Sequence, residues 1–178
     1  MDFTSTKILI VDDDVYVAKI MRSILESFEV GQVHLACTYD DATSILNTRK
    51  FDCIFIDNMM TTPNGLELTK YIRHLEDEKI RVVPIILYTA FTGLQSIIQA
   101  RDAGVTEILS KPVSPEQIID KMSNALFKQR DFINTEIYSG PDRRRRIRDY
   151  EGTEDRRQIS IPLPIENDIT INDQKGDD

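Results

Sequence analysis

The amino-acid sequence predicts a doubly wound α/β domain built on a five-stranded parallel sheet. Two observations lead to this prediction. Short apolar segments alternate with segments whose apolar residues recur every three or four positions, which is the pattern of strands alternating with amphipathic helices. The central apolar segments also lack the polar alternation of a half-exposed strand, so they indicate strands that are covered by helices on both faces.

The first two strand–helix units occupy the first 48 residues. Lys7–Val11 is apolar and β-branched, which favours a strand, and it ends at three aspartates. Val15–Phe28 has apolar residues at helical spacing, with Asp14 as a suitable N-cap. Gln32–Cys37 then predicts a short second strand, and Asp40–Thr48 predicts a helix with its apolar residues on one face.

The third and fourth strands have the most continuous apolar character. Phe51–Asp57 predicts a strand buried on both faces that ends in a carboxylate. A loop rich in turn-forming residues leads to a third helix over Leu66–Glu78. Val82–Tyr88 predicts the fourth strand, and Pro84 is expected near its start because proline cannot donate a hydrogen bond to a neighbouring strand.

The last unit of the predicted domain has clear helix signals. Thr92–Ala103 predicts the fourth helix and Glu107–Ser110 a short fifth strand. Ser114 precedes a proline and is followed three residues later by a glutamine, which is the signature of a capped helix start. The fifth helix is therefore predicted over Pro115–Leu126.

The helical and strand periodicities stop after residue 128. We predict a folded domain over residues 1–128 and an extended or disordered, mixed-charge tail over residues 129–178. Arg143–Arg146 are surrounded there by acidic residues, which favours docking on an acidic protein surface over nucleic-acid binding. A solvated tail with no partner is the remaining alternative.

Composition narrows the class of protein. The formal net charge is −8, which discourages non-specific binding to nucleic acid or to an anionic membrane. The tail contains no helix-turn-helix pattern, so no DNA-binding domain is predicted. No signal sequence and no apolar segment of about 18 residues is present. We therefore expect a soluble, cytoplasmic protein without a membrane segment.

Polar residues follow the predicted strands where their carboxyl ends meet at one edge of the sheet. They are the carboxylates of Asp12, Asp13 and Asp57, with Thr89 and Lys111. Carboxylates placed so close together repel one another unless a cation lies among them, and a hard ion such as Mg²⁺ suits oxygen ligands. Asp57 could then act as a nucleophile toward a phosphoryl group, with Thr89 and Lys111 stabilising charge on the transferring oxygens.

With these residues in this order, the sequence resembles the receiver domains of response regulators in two-component signalling over residues 7 to about 128. The resemblance implies a flavodoxin-like fold with strand order 2-1-3-4-5. It also implies that Asp57 is the phosphoacceptor. Mg²⁺ would be held by Asp13, Asp57 and the backbone carbonyl of Met59, with Asp12 assisting through water.

The resemblance further implies roles for Thr89 as the switch hydroxyl and for Lys111 as the phosphate-binding lysine. The phosphoryl donor would be a histidine kinase or a histidine phosphotransfer protein. Output would come from contact with a downstream protein, for which the tail is a candidate element. Activity would be limited to the protein's own phosphorylation and dephosphorylation, so no separate enzyme is expected.

Two departures from the family pattern concern the loop after Asp57 and the aromatic switch. The usual loop proline is displaced to Pro63, and Asn64-Gly65 replaces the usual Asp-Gly pair. Ile108 stands where the family has a rotating aromatic ring. The family's usual aromatic coupling to the output face is therefore not expected here. The last two predicted helices have five apolar residues that should lie mostly in the core: Ile97, Ile98, Ile118, Ile119 and Met122. Part of the surface that these residues form is a candidate partner or homodimer face.

Two other functions match parts of the sequence. Ile8–Val11 followed by Asp12 and Asp14 resembles the nucleophile motif of haloacid-dehalogenase-like phosphatases, with Asp12 as nucleophile. Tyr16 stands where that family has threonine or valine, no later acidic pair follows an apolar strand, and Asp57 would have no role. The other alternative is a receiver fold that serves as a phosphorylation-independent adaptor. The presence of all three carboxylates, Asp12, Asp13 and Asp57, argues against it.

Overall fold

The structure, a computed structural model, describes residues 2–90 and 93–143. Its five main strands are β1 Lys7–Val11, β2 Gln32–Ala36, β3 Cys53–Asp57, β4 Ile85–Thr89 and β5 Glu107–Ser110. The helices are α1 Val15–Ser27, α2 Tyr39–Thr48, α3 Gly65–Arg73, α4 Glu78–Arg81, α5 Leu94–Asp102 and α6 Pro115–Phe127. Two short strands follow, β6 Phe132–Asn134 and β7 Ser139–Pro141.

The five main strands form one parallel sheet in the order β2-β1-β3-β4-β5, which confirms the predicted fold class. Every residue of β3 and β4 is buried, as expected for strands covered on both faces. In the register of the sheet Asp57 is opposite Tyr88, and Thr89 is opposite Ser110. The central strands therefore end at the same edge, where their last side chains can meet.

Alternate residues of each strand contribute to two separate cores, because successive side chains of a strand point to opposite faces. Ile8 and Ile10 of β1 pack with α1 and α6 on one face of the sheet. Leu9 and Val11 pack on the other face with residues of α2, α3, α4 and α5. All four side chains are fully buried, and each contributes about 1.5–3 kcal/mol through the removal of apolar surface from water.

The described residues form six helices and not the predicted five. The helix predicted over Leu66–Glu78 ends at Arg73, and Asp77 begins the separate helix α4 by accepting a hydrogen bond from the backbone N–H of Lys79. Strand β4 begins later than predicted because Pro84 has no N–H to donate. Its carbonyl still accepts a hydrogen bond from the backbone N–H of Ile54.

Strands β6 and β7 form an antiparallel hairpin that begins five residues after α6. We call residues 132–141 the C-terminal hairpin. It lies inside the segment predicted to be an extended or disordered tail, so the first part of that segment is regular structure. Arg143 is described, whereas Arg144–Arg146 lie outside the described residues. The division of the chain into a domain over 1–128 and a tail over 129–178 stays a prediction.

The C-terminal hairpin packs against the segment that precedes β5 and against the last residue of α3. Gly140 contacts Gly104 so closely that a Cβ on Gly140 would lie 2.6 Å from the Gly104 Cα. The Phe132 ring lies 5.6 Å from the guanidinium carbon of the buried Arg73. Nη2 of Arg130 donates a hydrogen bond of 2.6 Å to the carbonyl of Thr106. The hairpin and the residues directly before it are therefore held by backbone, aromatic and charged contacts.

Among the helices of residues 2–90 and 93–143, none combines the length and the apolar character needed to cross a membrane.

Candidate functional site

Three carboxylates meet at the carboxyl edge of the sheet. Asp12 follows β1 directly, Asp13 is next to it, and Asp57 is the last residue of β3. An oxygen from each lies within 4.8 Å of the other two. Asp12 and Asp57 are buried, with 0% and 3% of their surface exposed, whereas Asp13 is exposed. The site is thus a concentration of negative charge that opens to solvent on the side of Asp13.

Asp12 is the deepest of the three and is fixed by two donors. Its Oδ1 accepts a hydrogen bond of 2.8 Å from the backbone N–H of Asp14, and its Oδ2 accepts one of 2.7 Å from the Tyr88 hydroxyl. Burial raises the pKa of the Asp12 carboxyl, and the nearby charge of Asp57 acts in the same direction. The two hydrogen bonds oppose that effect because they stabilise the ionised form.

Asp57 is held by two donors at one of its oxygens. Its Oδ1 accepts a hydrogen bond of 3.2 Å from the backbone N–H of Met59 and lies 3.0 Å from Nζ of Lys111. Asp13 fixes the following loop, because its Oδ2 accepts a hydrogen bond of 3.0 Å from the backbone N–H of Thr61. The loop after β3 is therefore tied to both carboxylates.

Lys111 connects the carboxylates with β4 and β5. Its Nζ contacts Asp57 and also lies 4.7 Å from the centre of the Tyr88 ring, a cation–π distance. Its backbone N–H donates a hydrogen bond of 2.8 Å to the carbonyl of Thr89. Thr89 is 2% exposed and ends β4. The structure thus brings Asp12, Asp13, Asp57 and Lys111 together, with Thr89 at the same edge.

The altered loop still returns closely to the strand end. A Cβ on Gly65 would lie 2.3 Å from the carbonyl oxygen of Asp57, so the position requires glycine. Asn64 caps α3 by accepting hydrogen bonds from the backbone N–H groups of Leu66 and Glu67, and the Glu67 side chain completes a capping box. The displacement of the proline to Pro63 therefore leaves the turn before α3 well formed.

The donor set suits a hard divalent cation. Three carboxylates within 4.8 Å of one another supply only oxygen ligands, and one of them is exposed to incoming solvent and ions. Asp13 and Asp57 are the residues that could hold such an ion directly. Asp12 is buried with both oxygens in hydrogen bonds, which fits a supporting position behind them.

Sequence reasoning missed the role of Tyr88. The apolar pattern predicts only that Tyr88 ends the fourth strand, yet its hydroxyl is buried and bonded to Asp12. The available signal was the aromatic hydroxyl itself, because a buried tyrosine O–H normally has a hydrogen-bond partner. Ile108 is partly buried, opposite Leu87 in the sheet, and contributes to the core on that face.

Known proteins are similar to this chain over the part that forms the parallel sheet. The family model for the response regulator receiver domain matches residues 8–123. The transcriptional regulatory protein ZraR of Salmonella typhimurium is 29% identical over 124 residues, which is 70% of this chain and 27% of ZraR. The response regulator MprA of Mycobacterium bovis is 31% identical over 118 residues, which is 66% of this chain and 49% of MprA. The chain therefore spans half or less of these curated relatives.

Solved structures are similar over the same region. Chemotaxis protein CheY4 of Vibrio cholerae superposes with a TM-score of 0.64 at 25% identity, covering 68% of this chain and 98% of CheY4. The receiver domain of the Francisella response regulator 1452 has a TM-score of 0.60 at 29% identity, covering 69% of this chain and 97% of that domain. The family match ends before the C-terminal hairpin, which begins at Phe132.

Proposed function

The chain belongs to the family of response regulator receiver domains, and from that premise we propose that Asp57 is the residue that accepts the phosphoryl group. The observation that carries this proposal is the position of its carboxylate. Asp57 ends the central strand β3, lies among the other carboxylates, and has the Lys111 ammonium 3.0 Å from its Oδ1. Asp57 is thus the carboxylate of this cluster that is paired directly with a lysine.

The proposed reaction is an attack of an Asp57 carboxylate oxygen on the phosphorus of a phosphohistidine. The new bond joins phosphorus to the Asp57 oxygen, and the bond between phosphorus and the histidine nitrogen breaks. The electron pair of that bond stays with the imidazole that leaves. Met59 N–H and Lys111 hold the Asp57 carboxylate in one orientation, and the Lys111 charge offsets the charge that develops on the phosphoryl oxygens.

We propose that the metal ion held by these carboxylates is Mg²⁺. Asp13 and Asp57, with the backbone carbonyl of Met59, would hold the ion, which when bound supplies positive charge beside the phosphoryl oxygens. Asp12 would support these ligands from its buried position, through water. The clustering of the three carboxylates and the hard character of their oxygens support this assignment.

Thr89 and Lys111 are the proposed sensors of the phosphorylated state. Thr89 ends β4, and its carbonyl accepts the hydrogen bond of the Lys111 backbone N–H. A change at either residue would therefore be transmitted to the other and to β5, where Ser110 is paired with Thr89. This arrangement gives the site a direct connection to the surface formed by β5.

Membership of the family supports a proposal for the physiological partners. We propose a histidine kinase or a histidine phosphotransfer protein as donor, a downstream protein as the recipient of the signal, and a cytoplasmic location. In this proposal the chain is a phosphoacceptor and not a separate enzyme, and self-association into a homodimer is a further candidate. The phosphatase alternative is weakened because Asp12 is fully buried with both carboxylate oxygens in hydrogen bonds.

The test uses the full chain with acetyl phosphate and Mg²⁺, followed by intact mass spectrometry and mapping of the labelled aspartate. One phosphoryl group should appear on Asp57, and Asp57→Asn should abolish it. Asp41→Asn, which changes an exposed aspartate of α2, is the matched control and should be labelled like the unaltered chain. Labelling of Asp12 would instead support the phosphatase.

A further inference from the structure

A cavity of about 240 Å³ lies between the end of α2, the start of β3 and the short helix α4. Phe51 lines it, and we call it the Phe51 pocket. Four buried apolar side chains also line it: Leu46, Ile54, Ile80 and Val83. Three exposed cations complete the lining: Arg49, Lys50 and Lys79. We propose that the Phe51 pocket binds a small aromatic monocarboxylate.

The apolar part of the pocket is preformed. Leu46 belongs to α2, Ile54 to β3 and Ile80 to α4, and all three pack in the core on this face of the sheet. The backbone N–H of Val83 donates a hydrogen bond of 3.2 Å to the carbonyl of Ile80, which fixes these two residues relative to each other. Because these side chains are already ordered, little conformational entropy is lost when a ligand covers them.

Phe51 gives the pocket an aromatic surface. Its ring is partly buried and meets the ring of His34 edge to face, with 5.5 Å between the ring centres and 74° between the planes. An aromatic ligand can pack against Phe51 in an offset or edge-to-face arrangement, which adds to the gain from covering apolar surface. The pocket therefore favours a flat aromatic body.

Arg49 and Lys79 supply positive charge that no carboxylate offsets directly. Among residues 2–90 and 93–143, neither cation has a carboxylate within ion-pair distance. Nη1 of Arg49 donates a hydrogen bond of 3.4 Å to Nε2 of His34. Burial, and after it the charge of Arg49, lower the pKa of His34, so this acceptor is neutral near pH 7. Arg49 is thus oriented without losing its charge.

The remaining charges limit the ligand to a single negative charge. Lys50 is paired with Asp77, and Asp52 also lines the pocket, where its Oδ2 accepts a hydrogen bond of 2.8 Å from the backbone N–H of Lys7. These two carboxylates offset two of the three cations. A monocarboxylate would be attracted by the remaining positive charge, whereas a phosphate dianion would be repelled more strongly by Asp52 and Asp77.

This inference goes beyond the proposed function, because the pocket is separate from the carboxylate cluster. Asp52 and Ile54 lie at the amino end of β3, and Asp57 is the last residue of that strand. Ligand binding and phosphorylation can therefore be measured independently on the same chain.

The experiment titrates the full chain, labelled with ¹³C at the isoleucine methyl groups, with 2-naphthoate and follows the methyl signals by nuclear magnetic resonance. A ligand of about 13 heavy atoms should bind with a dissociation constant on the order of 0.1–1 mM. The signals of Ile54 and Ile80 should shift. Those of Ile8 and Ile10, which pack on the other face of the sheet, should not.

The contribution of charge is tested with a ligand pair and a variant pair. The neutral 2-naphthamide, which has the same shape, should bind several times more weakly than 2-naphthoate. Lys79→Gln should weaken 2-naphthoate binding about threefold to fivefold, as expected for the loss of one exposed charge pair. Lys70→Gln is the matched control, because Lys70 is an exposed helical lysine that does not line the pocket, and it should leave binding unchanged.

Three results would each overturn the proposal. They are shifts at Ile8 and Ile10 in place of Ile54 and Ile80, equal affinities for 2-naphthoate and 2-naphthamide, and tighter binding of 2-naphthyl phosphate than of 2-naphthoate. Equal affinities of the Lys79→Gln and Lys70→Gln variants would do the same. Labelling of Asp57 by acetyl phosphate in the same samples reports on the proposed function separately.

Discussion

The hydroxyl of Tyr88 donates a hydrogen bond of 2.7 Å to Oδ2 of Asp12, although both side chains are completely buried. The contact joins the end of β4 to the residue after β1, across the intervening strand β3. A buried carboxylate costs free energy unless it is hydrogen-bonded. Tyr88 therefore reduces the cost of keeping Asp12 ionised beside Asp57. Burial, and after it the charge of Asp12, raise the pKa of the Tyr88 hydroxyl.

Replacement of Asp12 by asparagine should stabilise the metal-free protein at neutral pH by about 1 kcal/mol, because it removes a buried charge that repels Asp57. The asparagine can keep both contacts, since a tyrosine hydroxyl can accept as well as donate a hydrogen bond. Urea unfolding in the presence of a chelator measures the difference.

The pH dependence of that difference follows from the raised pKa of Asp12. Between the pKa of the unfolded chain, near 3.8, and the higher folded value, the folded protein binds more protons than the unfolded chain. The contribution of Asp12 is thus most favourable below the unfolded pKa and is lost as the pH rises through the folded one. The advantage of Asp12→Asn should shrink toward acid pH, and an advantage that grew there would contradict this account.

Lys111→Gln should separate metal binding from phosphorylation. Removal of an ammonium 3.0 Å from Asp57 leaves the carboxylates more negative, so Mg²⁺ should bind severalfold more tightly in isothermal titration calorimetry. Labelling by acetyl phosphate should slow by about tenfold or more, because positive charge beside the phosphoryl oxygens is lost. Lys121→Gln, which breaks a 2.8 Å ion pair with Glu107 on another part of the surface, serves as the control. If Mg²⁺ affinity and labelling by acetyl phosphate both fell in the Lys111→Gln variant, the substitution would have disrupted the site as a whole.

Gly140→Ala should destabilise the protein by about 1–3 kcal/mol, because the new methyl group would lie 2.6 Å from the Cα of Gly104 and overpack the contact. Gly93→Ala is the matched control, since a Cβ there has no neighbour within 4 Å among the described residues. Thermal unfolding followed by circular dichroism compares the two. If both variants unfolded like the unaltered chain, the hairpin would not be packed on Gly104.

Arg73→Lys should lower the free energy of unfolding by about 2–3 kcal/mol, although the substitution keeps the positive charge. The buried Arg73 donates to the carbonyls of Gly104, Arg81 and Val83 at 2.9, 2.6 and 2.8 Å. A lysine ammonium cannot reproduce the planar arrangement of N–H donors in the guanidinium, so buried carbonyls would be left without donors. Arg22→Lys on the exposed face of α1 should be nearly neutral, and urea unfolding measures both variants. Equal urea midpoints for the two variants would rule out the proposed role of the Arg73 hydrogen bonds.

The central sheet could be predicted from the sequence because its signals are local and strong. Buried strands such as Cys53–Asp57 have continuous apolar runs, and their carboxyl ends bring polar residues to one edge by topology alone. The family resemblance supplied the strand order, which the structure confirms. Assignment of the individual site residues to roles stays a prediction, although the structure brings the carboxylates and Lys111 together.

The features that escaped prediction depend on contacts between distant parts of the chain. The C-terminal hairpin has strands of only three residues, too short for an alternating pattern, and it is held by Gly104 and by Arg73. The break between α3 and α4 was missed because the apolar spacing continues across it, although Asp77 was an available N-cap signal. The hydrogen bond between Tyr88 and Asp12 joins residues 76 positions apart.

The position of the C-terminal hairpin bears on how this receiver can be exchanged between proteins. A chimera joined directly after α6 would follow the family match, but it would discard the Phe132 ring beside Arg73 and the contact of Gly140 with Gly104. A transplanted module that keeps the chain through Arg143 would carry both with it. We therefore expect the transferable unit to run through the C-terminal hairpin, beyond the end of the family match at residue 123, and a fusion that stops after α6 to lose the packing of the hairpin on Arg73 and Gly104.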